Sequence, residues 1–195
     1  MPELQRVYLV RHGETAWSLS GQHTGLTDLP LTAKGEANAR GLAERLRGVS
    51  FAHVFTSPLQ RARRTAELAG LNRAADIEPD LLEWNYGDYE GLRSAAITAA
   101  NPGWEIYRDG CPNGETPQQV SLRAGRVIAM LRKLDGNIAL FSHGHFGRAL
   151  AVRWIGLEIA QARHFLLATA AISILGYGHG RADEPAIELW NAAPA

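Results

Sequence analysis

Short apolar runs alternate along the chain with amphipathic segments of helical period, and few folds accept that alternation. Residues 6–10 (RVYLV), 51–57 (FAHVFTS) and 137–142 (NIALFS) read as buried strands. Residues 168–178 and 185–191 read as final strands, and residues 76–84 as an extended segment ending near Glu83. Helices are expected over 31–48, 59–70, 116–134 and 146–157. Thr32 and Thr116 suit the N-caps of the first and third, Pro117 suits the first helical position, and Gly70 suits the end of the second. Strands interleaved with helices predict an α/β sandwich on a mainly parallel sheet. Ligands of such sheets sit outside the carboxyl ends of the strands.

A chain of 195 residues, 46% hydrophobic, can bury one core, so residues 1–195 are expected to form one domain. Residues 84–115, with their NPG, RDG and PNG turn signals, read as a small irregular cap in which specificity should lie. Basic and acidic residues balance at 20 each, which argues against a nucleic-acid partner or an anionic membrane surface. No apolar run is long enough to span a bilayer, and the N-terminal residues show no secretory pattern, so a cytoplasmic enzyme is expected. The single cysteine, Cys111, rules out an internal disulfide and a cysteine-based zinc site.

Three strand ends carry the chemistry. The first runs into Arg11-His12-Gly13, the second leads into a helix bearing Arg61, and that at 137–142 runs into His143-Gly144-His145. A sheet of this kind can bring two arginines and two histidines to one rim. Guanidinium forks bind phosphoryl oxygens, and a neutral imidazole nitrogen attacks phosphorus. A second imidazole, if protonated, donates to the same oxygens. The glycine beside each histidine would let backbone N–H groups approach the anion. The leaving oxygen needs a proton, and Glu83 is the best-placed carboxylic acid. Each feature alone is weak. Arg61, Arg63 and Arg64 fit a solvated helix face, and Arg93, Tyr107 and Arg108 fit exposed loop positions as well as substrate contacts. His23, His53, His164 and His179 read as surface or packing residues, and no neighbouring base marks Cys111 as a nucleophile. The joint occurrence of Arg11, His12, Arg61, Glu83 and His143 at strand ends favours a phosphoryl-transfer site.

The segments LVRHGETAW, TSPLQRARRTAE, EWNYGDYEGL and FSHGHFGRAL resemble, in order, the four motifs of the histidine phosphatase superfamily. The resemblance covers nearly the whole chain. It implies the three-layer α/β/α sandwich of the phosphoglycerate-mutase-like fold. It also implies His12 as a nucleophile that becomes phosphohistidine, a phosphate pocket of Arg11, Arg61 and His143, Glu83 as proton donor, and chemistry without cofactor or metal. Thr24, Gly25 and Tyr86 lie in segments that border the pocket in the family and are carried over as substrate contacts.

A narrower resemblance, through SGQHTGLTDLPLT and RDGCPNGETPQQVSLR, is to the branch containing the fungal sedoheptulose-1,7-bisphosphatase. It implies a small phosphorylated metabolite, a sugar phosphate, as the partner. Ser18 and His145 stand where mutases usually carry asparagine. The region between Glu83 and the Thr116 helix is also shorter than in cofactor-dependent mutases, which favours hydrolysis over phosphoryl retention. A phosphoglycerate mutase and a non-catalytic phosphate-binding protein are the alternatives. The first would require bisphosphoglycerate priming; the second would ordinarily have lost its nucleophile.

Overall fold

In the computed structural model, residues 4–71 and 75–194 are described. The chain runs through β1 (Val7–Arg11), α1 (Ala16–Ser20), α2 (Ala33–Arg45), β2 (Phe51–Thr56), α3 (Gln60–Leu68) and β3 (Ala75–Ile77). It continues through α4 (Ser94–Ala100), α5 (Ile106–Asp109), α6 (Pro117–Leu131), β4 (Asn137–Ser142), α7 (Gly144–Trp154), β5 (Ile172–Tyr177) and β6 (Pro185–Ala192). The strands form one sheet in the order β3-β2-β4-β1-β5-β6. β1, β2, β3 and β4 pair in parallel, while β5 and β6 join antiparallel.

Alternation along the strands sorts the core into two layers. Val7, Leu9, Ile138 and Leu140 face α6 and α7, packing with Val127, Phe146 and Leu150. Val10, Ala139 and Phe141 face the other way, onto Leu42 of α2 and Ala62 and Ala66 of α3. The result is the expected three-layer α/β/α sandwich.

The helix caps follow the sequence. Thr32 Oγ1 accepts from the Gly35 amide at 3.0 Å, and Thr116 forms a reciprocal capping box with Gln119 ahead of Pro117. Two segments differ from expectation. Residues 76–84 are extended only to Ile77, because Pro79 and the Glu78 side chain, which caps the Asp80 amide, wind Pro79–Leu81 into a 3-10 turn. Residues 84–115 are not irregular throughout. They contain α4, α5 and a 3-10 turn at Gly87–Tyr89, pinned by buried Ile97, Ile106 and Tyr107.

Register decides the position of the site. Arg11 pairs with Ser142, and Phe141 pairs with Thr56. The three strands therefore end level, and His12, His143 and Ser57 leave the sheet side by side.

Candidate active site

His12 is buried at the end of β1. Its Nδ1 lies 2.7 Å from the Gly13 carbonyl, which can only accept, so Nδ1 carries the proton and donates. Nε2 is left with a free lone pair. Burial first, and then the Arg11 and Arg61 guanidiniums, hold the imidazole pKa well below its ordinary value. This ring is a neutral base with its lone pair in a field of positive charge.

Arg11 donates through Nη1 to the Leu167 carbonyl, while its buried Nε has no acceptor among the described residues. Gly144 lets the chain cross the guanidinium closely: a Cβ there would sit 3.2 Å from Cζ and 3.3 Å from Nε.

Arg61 is fully buried on the inner face of α3 beside Ala62, Thr65 and Ala66. Its Nε donates to Nδ1 of His143 at 3.2 Å. Its Nη1 donates to the Thr27 carbonyl, and Nη2 to those of Thr24 and Gly25. Of the five guanidinium N–H groups, one on Nη1 remains. Because Nδ1 of His143 is an acceptor, its proton must sit on Nε2, which donates to Ser57 Oγ at 2.7 Å. Burial and the Arg61 charge keep this imidazole neutral, with its pKa well below the ordinary value. His12 and His143 stand with ring centroids 5.2 Å apart.

The Glu83 carboxylate docks on the N-terminus of α7. Oε1 accepts from the amides of Trp84 at 2.9 Å and Phe146 at 2.8 Å. Oε2 accepts from the His145 amide at 3.0 Å only, which leaves Oε2 the oxygen with room for a proton. Buried Arg123 braces the backbone behind it, donating to the carbonyls of Asp80, Leu82 and Glu83 and pairing with Glu115.

Arg11, His12 and Glu83 line a cleft of about 220 Å³ together with Thr24, Tyr86 and His145. Arg61 and His143 are fully buried and are not part of its wall; they are joined to the site through each other and through the ring of His143 beside that of His12. Two larger surface grooves, of about 620 and 490 Å³, hold none of these groups. The loop that presents Thr24 is clamped from both sides. Arg61 takes its carbonyls, and the Glu90 carboxylate takes the amides of Gly25 and Thr27. Gly25 itself does not line the cleft. Both its backbone groups are engaged, and a Cβ would fall 2.5 Å from the Trp84 carbonyl oxygen. Among the described residues, no group of three or more His, Cys, Asp or Glu side chains is arranged to hold a metal ion.

Residues 7–193 match the histidine phosphatase superfamily (branch 1). The chain belongs to that superfamily. It is 36% identical to the sedoheptulose 1,7-bisphosphatase of Saccharomyces cerevisiae, over 97% of this chain and 94% of that protein. It is 43% identical to an acid phosphatase of Mycobacterium tuberculosis, over 90% and 88%. A solved structure of an open reading frame from M. tuberculosis superposes with a TM-score of 0.92 at 37% identity, covering 97% of this chain and 98% of that one.

In this histidine phosphatase several residues act otherwise than their sequence context suggested. The Gly13 amide is not free for an anion, since it donates to Thr65 Oγ1 at 3.0 Å. Gly13 is small because a Cβ would lie 2.5 Å from the Gly35 carbonyl oxygen. His143 is a neutral donor rather than an imidazolium. His23, read as a surface or packing residue, lines the cleft. Arg64 pairs with Glu36 and Glu67, as a solvated face would, and Arg108 pairs with Asp109. Tyr107 is buried and donates to the His145 carbonyl at 3.2 Å. Burial, Glu90 and Glu115 push the Cys111 thiol up to about 12, so it is no nucleophile. Ser57, Glu90 and Arg123 escaped sequence reasoning as site residues, because only the fold reveals what each one holds.

Proposed function

We propose that this phosphatase hydrolyses a sugar phosphate through a phosphohistidine at His12. The observation that carries the reading is the hydrogen bond from His12 Nδ1 to the Gly13 carbonyl, which leaves Nε2 deprotonated beside two guanidiniums. In the first step Nε2 attacks phosphorus. The N–P bond forms, the ester P–O bond breaks, and Glu83 Oε2 delivers its proton to the departing oxygen to give an alcohol. In the second step Glu83, now a carboxylate, takes a proton from water as the water oxygen attacks phosphorus. The N–P bond breaks and inorganic phosphate leaves. Arg11 Nε–H and the remaining Arg61 N–H meet the charge on the transferring oxygens, and the His143 Nε2–H joins them by exchanging its Ser57 acceptor for a phosphoryl oxygen.

The sugar-phosphate assignment is supported by the bisphosphatase relative and by the size of the cleft, which suits a small metabolite. We assign phosphate contacts to Arg11, Arg61 and His143, and contacts to the rest of the substrate to Thr24 and Tyr86. Gly25 acts through the loop that holds Thr24.

A turnover screen across sugar phosphates, phosphoglycerates and nucleotides tests the reading. Release of inorganic phosphate from sugar phosphates, without 2,3-bisphosphoglycerate, is the expected result. Interconversion of 3- and 2-phosphoglycerate without phosphate release would replace it with a mutase.

A further inference from the structure

Beside the groups that handle phosphoryl transfer, the cleft carries a second set of side chains. His23, Tyr86, Ser94 and His145 line it together. The His23 ring packs on Tyr86, with centroids 4.7 Å apart, and on His145 at 5.7 Å. The Tyr86 hydroxyl lies 2.6 Å from Nδ1 of His145. Burial raises the phenol pKa well above its usual value, so the hydroxyl keeps its proton and must place it on an acceptor. Among the described residues, Nδ1 of His145 is the acceptor in reach. Tyr86 therefore donates, and a neutral His145 must carry its own proton on Nε2. Burial, Arg148, His23 and Arg11 all favour that neutral ring. With Nδ1 occupied, Nε2 is the nitrogen that serves the cleft. The same residue gives its backbone amide to Glu83 Oε2, so the residue that bears this imidazole is tied to the oxygen that releases the proton.

We infer that His145 is a specificity-determining residue: its Nε2–H, fixed by Tyr86, donates a hydrogen bond to an uncharged hydroxyl oxygen of the leaving group. The inference rests on the phosphatase reading above and names which part of the substrate the cleft recognises. A hydroxyl suits the wall better than an anion. Ser18, Thr24 and Ser94 are neutral, and His23 is held toward its neutral form by burial. The guanidiniums at hand are committed, Arg11 to the phosphoryl group and Arg148 to the carbonyls of Ala162 and Arg163. A carboxylate in this part of the cleft would lose water without gaining a cation.

The test compares kcat/KM for glycerol 3-phosphate and n-propyl phosphate, esters of equal carbon count that differ in their hydroxyls. In His145→Phe the backbone amide on Glu83 stays, while the Nε2–H donor and the Nδ1 acceptor of the Tyr86 hydroxyl go together; the second loss bears on both esters alike and cancels in their ratio. The ratio of the two should fall about 3- to 10-fold, the worth of one net hydrogen bond. A ratio unchanged while n-propyl phosphate is still hydrolysed would overturn the inference and leave the phosphatase reading standing. Hydrolysis of neither ester by the wild-type protein would overturn both. A second measurement needs no variant at the histidine. ¹⁵N NMR of the wild-type protein should show His145 Nδ1 unprotonated and Nε2 protonated, with the Nδ1–H form gaining population in Tyr86→Phe. A proton on Nδ1 in the wild type would contradict the proposed donor.

Discussion

The Nε of Arg61 donates to Nδ1 of His143 at 3.2 Å, and this one bond places the proton of the second imidazole on Nε2, from which it donates to Ser57 Oγ. The same guanidinium ties down three carbonyls of the loop that carries Thr24. Lysine keeps the charge but has neither the fork nor the reach to serve His143 and the loop together. Arg61→Lys should therefore lower kcat/KM by about 10²- to 10³-fold, the range for losing one preorganised donor. It should also lower stability by roughly 1–3 kcal/mol through unpartnered buried groups. Steady-state kinetics with urea denaturation reads both. Wild-type values in both would mean that the charge alone matters.

Glu83→Gln keeps the shape of the side chain but cannot donate the leaving-group proton. Alkyl phosphates should slow by about 10²- to 10⁴-fold, the range for general acid catalysis. p-Nitrophenyl phosphate should suffer much less, since nitrophenolate leaves unaided. The comparison needs conditions in which phosphorylation of the enzyme limits the rate. Equal losses would pass the role to another carboxylate. Glu14, the nearest in sequence to the nucleophile, is engaged by the Thr32 hydroxyl at 2.8 Å instead.

Glycine positions divide sharply by what surrounds them. Gly13→Ala forces a Cβ to within 2.5 Å of the Gly35 carbonyl oxygen and should cost about 1–3 kcal/mol while displacing His12. Gly125 lies inside α6 with nothing within 4 Å of an added Cβ, so Gly125→Ala should stabilise by about 0.5–1 kcal/mol. Thermal unfolding of the two variants should move in opposite directions. A shared direction would refute the packing assigned to the Gly13–Gly35 crossing.

Three histidines give the fold a pH dependence. His12, His143 and His145 are buried, and each has its pKa well below the ordinary imidazole value. Below pH of about 6.5 the unfolded chain binds protons that the folded chain refuses, so stability is complete above that pH and falls as pH drops. Each histidine contributes a slope of up to about 1.4 kcal/mol per pH unit. Denaturation midpoints measured from pH 7 to pH 5 should fall, and His145→Phe should flatten the slope. Unchanged midpoints over that range would show that these imidazoles titrate as if exposed.

Much of this was legible in the chain itself. Short apolar runs alternating with amphipathic runs of period 3.6 identify the sandwich, and the residues that follow three of those strands are the ones the fold brings to neighbouring strand ends. What stayed hidden depends on contacts across long sequence separations. Nothing local announces that Glu83 caps a helix beginning at Gly144, or that Glu90 and Arg61 share one loop. Arg61 and Arg64 look alike in sequence, yet one is fully buried and the other pairs with Glu36 and Glu67 at the surface. At 84–115 the Gly and Pro turn signals outweigh two short helices, which are held by tertiary burial of Ile97, Ile106 and Tyr107 rather than by propensity. His23 reads as a surface or packing residue because a lone histidine in a loop carries no periodic signal.

The central claim is that Nε2 of His12 carries the phosphoryl group. Rapid-quench labelling with a ³²P-labelled sugar phosphate tests it most directly. During turnover the protein should hold an acid-labile, base-stable adduct that maps to His12 and is absent in His12→Ala. An adduct on another residue, or no adduct while phosphate is being released, would contradict the account.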